Sequence, residues 1–139
     1  MAQDSKIAIL RRVPLFERLG NRELERIAQL AEQVQVGLDQ HLTEQGHMGD
    51  EFFVVTSGHL TVLEDGRPVR QLHPGDYFGE IALLEDHVRT ATVRADGIAE
   101  LLVLGHPEFL TLTEEFPAIR EAISSTAAER RGEPEADAT

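Results

Sequence analysis

The chain has 139 residues and a formal net charge of −12, from 25 acidic against 13 basic side chains. That length suits one domain with a core of its own, and the acidic balance argues against a nucleic-acid surface, which needs clustered positive charge. A single lysine, Lys6, and no cysteine leave no polybasic membrane anchor, disulfide, thiolate metal site or thiol nucleophile; no long apolar run follows the polar residues 1–6, so the expectation is a cytoplasmic soluble protein with no membrane partner.

Residues 5–13 read as a short helix with Ile7, Ala8 and Leu10 apolar, broken by Pro14, after which Leu15, Phe16 and Leu19 form a small hydrophobic plug. Asn21 is the expected N-cap of a helix running to about residue 33, with Leu24, Ile27, Ala28 and Ala31 on one face. From Val34 the pattern changes to short extended runs at 34–36, 41–44, 51–56, 59–64, 67–72, 90–94 and 98–104. Turn residues separate them: Gly37-Leu38-Asp39, a loop at 46–50 with two glycines, Ser57-Gly58, Asp65-Gly66, Pro74-Gly75-Asp76 and Ala95-Asp96-Gly97. Asp65-Gly66 is a two-residue hairpin signal. Many short strands at close spacing predict an antiparallel roll or sandwich. Several runs are apolar on both sides, so the pattern does not assign their faces.

At Gly105 the period returns to helical. Pro107 suits a first helical turn, and Phe109, Leu110, Leu112 and Phe116 supply an apolar face. Pro117 stops that helix or starts the next, in which Ile119, Ala122, Ile123 and Ala127 form the stripe. Gly132 ends it, and residues 132–139 read as a disordered acidic tail behind one domain at 1–131.

The stretch with the most chemistry is Phe78-Gly79-Glu80-Ile81-Ala82-Leu83-Leu84, followed after a four-residue spacer by Arg89-Thr90-Ala91-Thr92-Val93. Gly79 permits a tight turn. The apolar residues behind it seat a short helix whose first N–H groups favour an anion. Arg89 can return a guanidinium to the same place, where its planar fork suits a phosphate. Glu80 would repel a phosphate but can accept a hydrogen bond from a hydroxyl. A phosphodiester beside a free hydroxyl uses all three features.

At these residues the chain resembles the phosphate-binding cassette of the cyclic-nucleotide-binding domain family, Phe-Gly-Glu-(Leu/Ile)-Ala-Leu and then Arg-x-Ala-(Thr/Ser)-Val, with Val88 where many members carry proline. The resemblance runs from about residue 9 to 131. It implies a mainly β, α+β fold: an antiparallel eight-stranded β-roll, jelly-roll-like, flanked by N-terminal and C-terminal helices. It implies a ligand, cyclic AMP with cyclic GMP as the alternative, held by Gly79, Glu80, Ile81, Ala82, Arg89, Thr90 and Ala91. Arg89 and the amides after Gly79 would hold the phosphate, and Glu80 the ribose 2′-hydroxyl. Val69, Leu72 and Val93 are candidates for the wall around the base, with Ile123, Ala127 and Arg130 as candidate caps. Signalling would pass through the C-terminal helices, hinged at Phe116-Pro117, to an effector protein or to a second copy bound through the last helix. The competing expectation is a β-roll that has lost its ligand and binds protein.

No two of the six histidines stand two apart and none four apart on a helix, so the sequence predicts no metal site. No Ser-His-Asp set or carboxylate pair has a spacing that signals catalysis, so no enzyme is expected.

Overall fold

The computed structural model describes residues 2–84 and 87–131, with the side chains of residues 2–4, 82, 87 and 126–131 outside that description. The expected tail at 132–139 lies outside the described residues. Helix α1 (Ala2–Arg11) stops ahead of Pro14, and a 3-10 turn, Pro14–Phe16, buries Leu15 and Phe16 as the predicted plug. Helix α2 (Asn21–Leu30) differs from expectation at both ends. Its N-cap is Gly20, whose N–H donates to Glu23 Oε2 at 2.8 Å, while the Asn21 side-chain oxygen accepts from Arg11 instead. Its last residue is Leu30, because residues 32–36 are taken by strand β1 (Glu32–Val36) in five-residue register with a distant strand, Glu32 opposite Val103 and Val36 opposite Ala99. Cross-strand pairing overrides helical periodicity here. Lys6 Nζ caps the carbonyls left at that end, donating to Ala28 O at 3.2 Å and Ala31 O at 2.9 Å.

Strands β2 (His41–Thr43), β3 (Met48–Gly49), β4 (Glu51–Ser57), β5 (Leu60–Glu64), β6 (Arg67–Leu72) and β7 (Tyr77–Phe78) precede the short helix α3 (Glu80–Leu84). Strands β8 (His87–Val88), β9 (Thr92–Ala95) and β10 (Ala99–Gly105) follow it, and helices α4 (His106–Glu115) and α5 (Pro117–Arg131) complete the described chain. All pairings are antiparallel. Eight strands form two four-stranded sheets, β1-β10-β4-β7 and β2-β9-β5-β6, and β3 pairs with β8 as a separate ribbon. The Asp65-Gly66 hairpin forms as predicted, both residues at positive φ, 52° and 77°.

The strands that were apolar on both sides serve two cores. Phe53, Val55, Leu101 and Val103 face the interior of the roll with Leu60, Val62, Leu72, Phe78, Ala91 and Val93. Their alternates Phe52, Val54, Leu102 and Leu104 face a second cluster built from the helices, with Leu10, Leu24, Ile27, Phe109, Leu112, Ile119 and Ile123. Period-two alternation therefore persists, with both faces buried. Of the predicted face of α4, Phe109 and Leu112 are buried, but Leu110 is 43% exposed. No helix among the described residues is long and apolar enough to cross a membrane.

Candidate functional site

Phe78 is fully buried and lies opposite Phe53 in the β4–β7 pairing. Their rings stack with centroids 4.6 Å apart, which contributes about 0.5–1.5 kcal/mol beyond burial. That contact anchors the chain immediately before Gly79. Gly79 takes φ +86°, where a Cβ is strained, and the place of that Cβ lies 2.6 Å from Glu51 O and 2.8 Å from Arg89 Nη1. Helix α3 follows at once. Ile81 and Leu83 are buried beneath it, and Ala82 lies in the helix with its side chain outside the described residues.

The guanidinium of Arg89 does return to the turn at Gly79, across 10 residues of sequence. Its backbone is held by the loop before β3, Arg89 N–H donating to His47 O at 2.8 Å and Gly46 N–H donating to Arg89 O at 2.8 Å. Its side chain is 3% exposed, and Nη2 donates to Glu51 O at 2.7 Å. On the far side stands Gly49, where an added Cβ would come within 2.2 Å of Arg89 Nε. The cation is thus clasped between the Gly49 and Gly79 backbones. Neither Gly49 nor the Glu51 carbonyl was among the residues predicted from sequence. Their signal was the second glycine of the 46–50 loop, one residue before the acidic pair that opens β4.

Glu80 is 1% exposed and so is not a solvated turn carboxylate. Burial pulls the Arg89 pKa below arginine's usual value, and the carboxylates of Glu51, Asp50 and Glu80 push it back up. An arginine keeps its charge through such a shift. Partial burial, and then Asp50, raise the Glu51 carboxyl above its usual range, with Arg89 opposing them. One buried cation therefore sits among three acids, in a chain of net charge −12. Any anion arriving here must be recognised by short hydrogen bonds at the guanidinium and the turn, because the wider field repels it.

Of the other predicted residues, Ala91 is fully buried in the roll core and Thr90 is exposed. Leu72 and Val93 are buried in that core, with Val69 packed against it. Ile123 is buried in the helical cluster rather than in the roll interior. The side chains of Ala127 and Arg130 are outside the described residues. Among the described residues no group of three or more histidine or acidic side chains is placed to hold a metal ion.

A sequence model of the family described as the cyclic nucleotide-binding domain matches residues 33–116. A cyclic nucleotide-gated potassium channel of Rhizobium etli is 38% identical over 122 residues, which cover 88% of this chain and 34% of the channel. A cAMP-dependent protein kinase regulatory subunit of Mucor circinelloides is 40% identical over 107 residues, 74% of this chain and 25% of that protein. Among solved structures, a cyclic nucleotide-binding-like protein from Brucella abortus aligns with a TM-score of 0.72 at 27% identity, covering 80% of this chain and 99% of that one. The chain spans about a third or less of the length of these two curated relatives.

Proposed function

This chain belongs to the cyclic nucleotide-binding domain family, and from that premise we propose that it is a receptor for cyclic AMP, with cyclic GMP as the alternative ligand. The observation that carries the proposal is the buried Arg89 guanidinium brought against the positive-φ turn at Gly79, inside the segment that matches the family. Arg89 and the amides at the start of α3, Glu80 to Ala82, hold the cyclic phosphate. Glu80 accepts the ribose 2′-hydroxyl, and Thr90 and Ala91 line the same edge. The unit at 1–131 acts in the cytoplasm as a regulatory domain without catalysis of its own. Its effector is another protein or a second copy docked through α5.

The test is a thermal-unfolding titration with cyclic AMP, cyclic GMP and linear AMP in parallel. A ligand at a hundredfold over its Kd adds about 2.7 kcal/mol of stability, several degrees in Tm. The cyclic nucleotides are expected to give that shift and linear AMP is not. One observation favours a second reading, a β-roll that binds protein and no nucleotide: the Glu51 carbonyl already accepts from the Arg89 guanidinium. Flat titrations with both cyclic nucleotides would select it.

The ligand acts through the C-terminal helices. Phe116 departs from helical angles between α4 and α5, at φ −136° and ψ 88°, and Pro117 opens α5. Ile119 and Ile123 pack in the same cluster as Leu83 of α3, so a shift of α3 reaches α5 through shared side chains. Amide exchange over Pro117–Arg131 is expected to change on adding saturating cyclic AMP. An identical exchange pattern with and without ligand would remove the hinge from the mechanism.

A further inference from the structure

Helix α3 has five residues, so its last carbonyls have no partner within the helix. One of them, Leu83 O, lies 3.0 Å from Nδ1 of His106, which is 23 residues away, half-buried, and the first residue of α4. A carbonyl only accepts, so Nδ1 is the donor. The same short helix begins beside Gly79 and carries Glu80 in its first turn. Its two ends are separated by about 7.5 Å of helix rise, so the proposed ligand site and the His106 contact sit on one small rigid piece.

The packing between α3 and the helical core is apolar: Leu83 clusters with Phe109 and Leu112 of α4 and with Ile119 and Ile123 of α5. Apolar contact is non-directional and tolerates sliding of one element over another. A hydrogen bond does not, because it weakens steeply beyond about 3.2 Å or when bent. The His106–Leu83 bond therefore adds a directional contact between α3 and α4 to their apolar packing, and it has two states, formed and broken.

We propose that His106 is a positioning residue that couples the nucleotide site to α4 and α5: its imidazole grips the carbonyl end of α3 and transmits the movement of that helix to the C-terminal segment. This deepens the receptor reading above and rests on it. Two variants of the full chain separate the possibilities. His106→Phe keeps a ring for packing and removes the donor. His106→Asn returns an N–H near the position of Nδ1.

Calorimetry with cyclic AMP and amide exchange with and without it are measured on all three proteins. His106→Phe is expected to bind within about fivefold of the wild type, the span of one ordinary hydrogen bond, and to lose the ligand-dependent exchange change over Pro117–Arg131. His106→Asn is expected to restore that change. A residue that only stabilised the fold would alter exchange equally in the free and bound proteins. Wild-type binding accompanied by a full response in His106→Phe, or no restoration in His106→Asn, would overturn the coupling role alone. Failure of the wild type to bind cyclic AMP would overturn the receptor reading and this one together.

Discussion

Replacing Arg89 by alanine is expected to weaken cyclic-nucleotide binding by one to two orders of magnitude or more. Charge-assisted hydrogen bonds contribute about 1.5–3 kcal/mol each, and a guanidinium presents its donors in a fork that meets two phosphate oxygens at once. Losing even one such bond is tenfold or more in Kd. The structure adds a reason for the higher figure. Asp50, Glu51 and Glu80 all act electrostatically on Arg89, so its removal leaves the incoming anion facing three acids. Arg89→Lys retains the charge without the fork and is expected to fall between wild type and alanine. Binding is measured by calorimetry on variants that still unfold cooperatively. Wild-type affinity in Arg89→Ala would show that the guanidinium is part of the scaffold and not of the site.

Gly79→Ala is the second substitution with a large expected effect, because two penalties meet at that position. A residue with a Cβ at φ +86° carries strain on the order of 1–3 kcal/mol. The new methyl also falls 2.6 Å from the Glu51 carbonyl and 2.8 Å from Arg89 Nη1, so it presses on the guanidinium and on the carbonyl that accepts from it. Two further alanines separate these terms. Gly75 has φ +95° and nothing within 4 Å of its Cβ position, so Gly75→Ala carries conformational strain alone. Gly49 is not at positive φ, and its Cβ would come within 2.2 Å of Arg89 Nε, so Gly49→Ala displaces the guanidinium without backbone strain. The expected order of lost stability is Gly79→Ala largest. Loss of nucleotide binding is expected for Gly79→Ala and Gly49→Ala but not for Gly75→Ala. Chemical unfolding gives the first comparison and calorimetry the second. Retention of binding by Gly49→Ala would mean the clasped position of Arg89 is not the binding position.

The glycine series also shows where sequence reading stops. Gly79 stood out because its neighbours in the chain, Phe78 on one side and an apolar helix start on the other, state its purpose locally. Gly49 did not, because the group it makes room for arrives from residue 89. The same division holds for α2. Its buried face of Leu24, Ile27 and Ala28 was correctly placed, yet its end was three residues out and Ala31, though buried, lies just past the helix in extended backbone, since the pairing partner that draws residues 32–36 into a sheet lies near residue 100. Leu110 was assigned to the core from its spacing and is exposed.

What the amino-acid order determined by itself is whatever depends on a residue and its near neighbours. The Asp65-Gly66 hairpin, the breaks at Pro14 and Pro117, the turn–helix–arginine segment, and the alternation of short strands are of this kind, because backbone preference and side-chain period act over a few residues. Tertiary structure alone decided which face of β4 and β10 serves which core, which carbonyl receives Arg89, and that His106 meets Leu83. Those outcomes depend on register between segments 20 to 70 residues apart, and register is set by the burial of both sheet faces at once, a condition that no single stretch of chain contains.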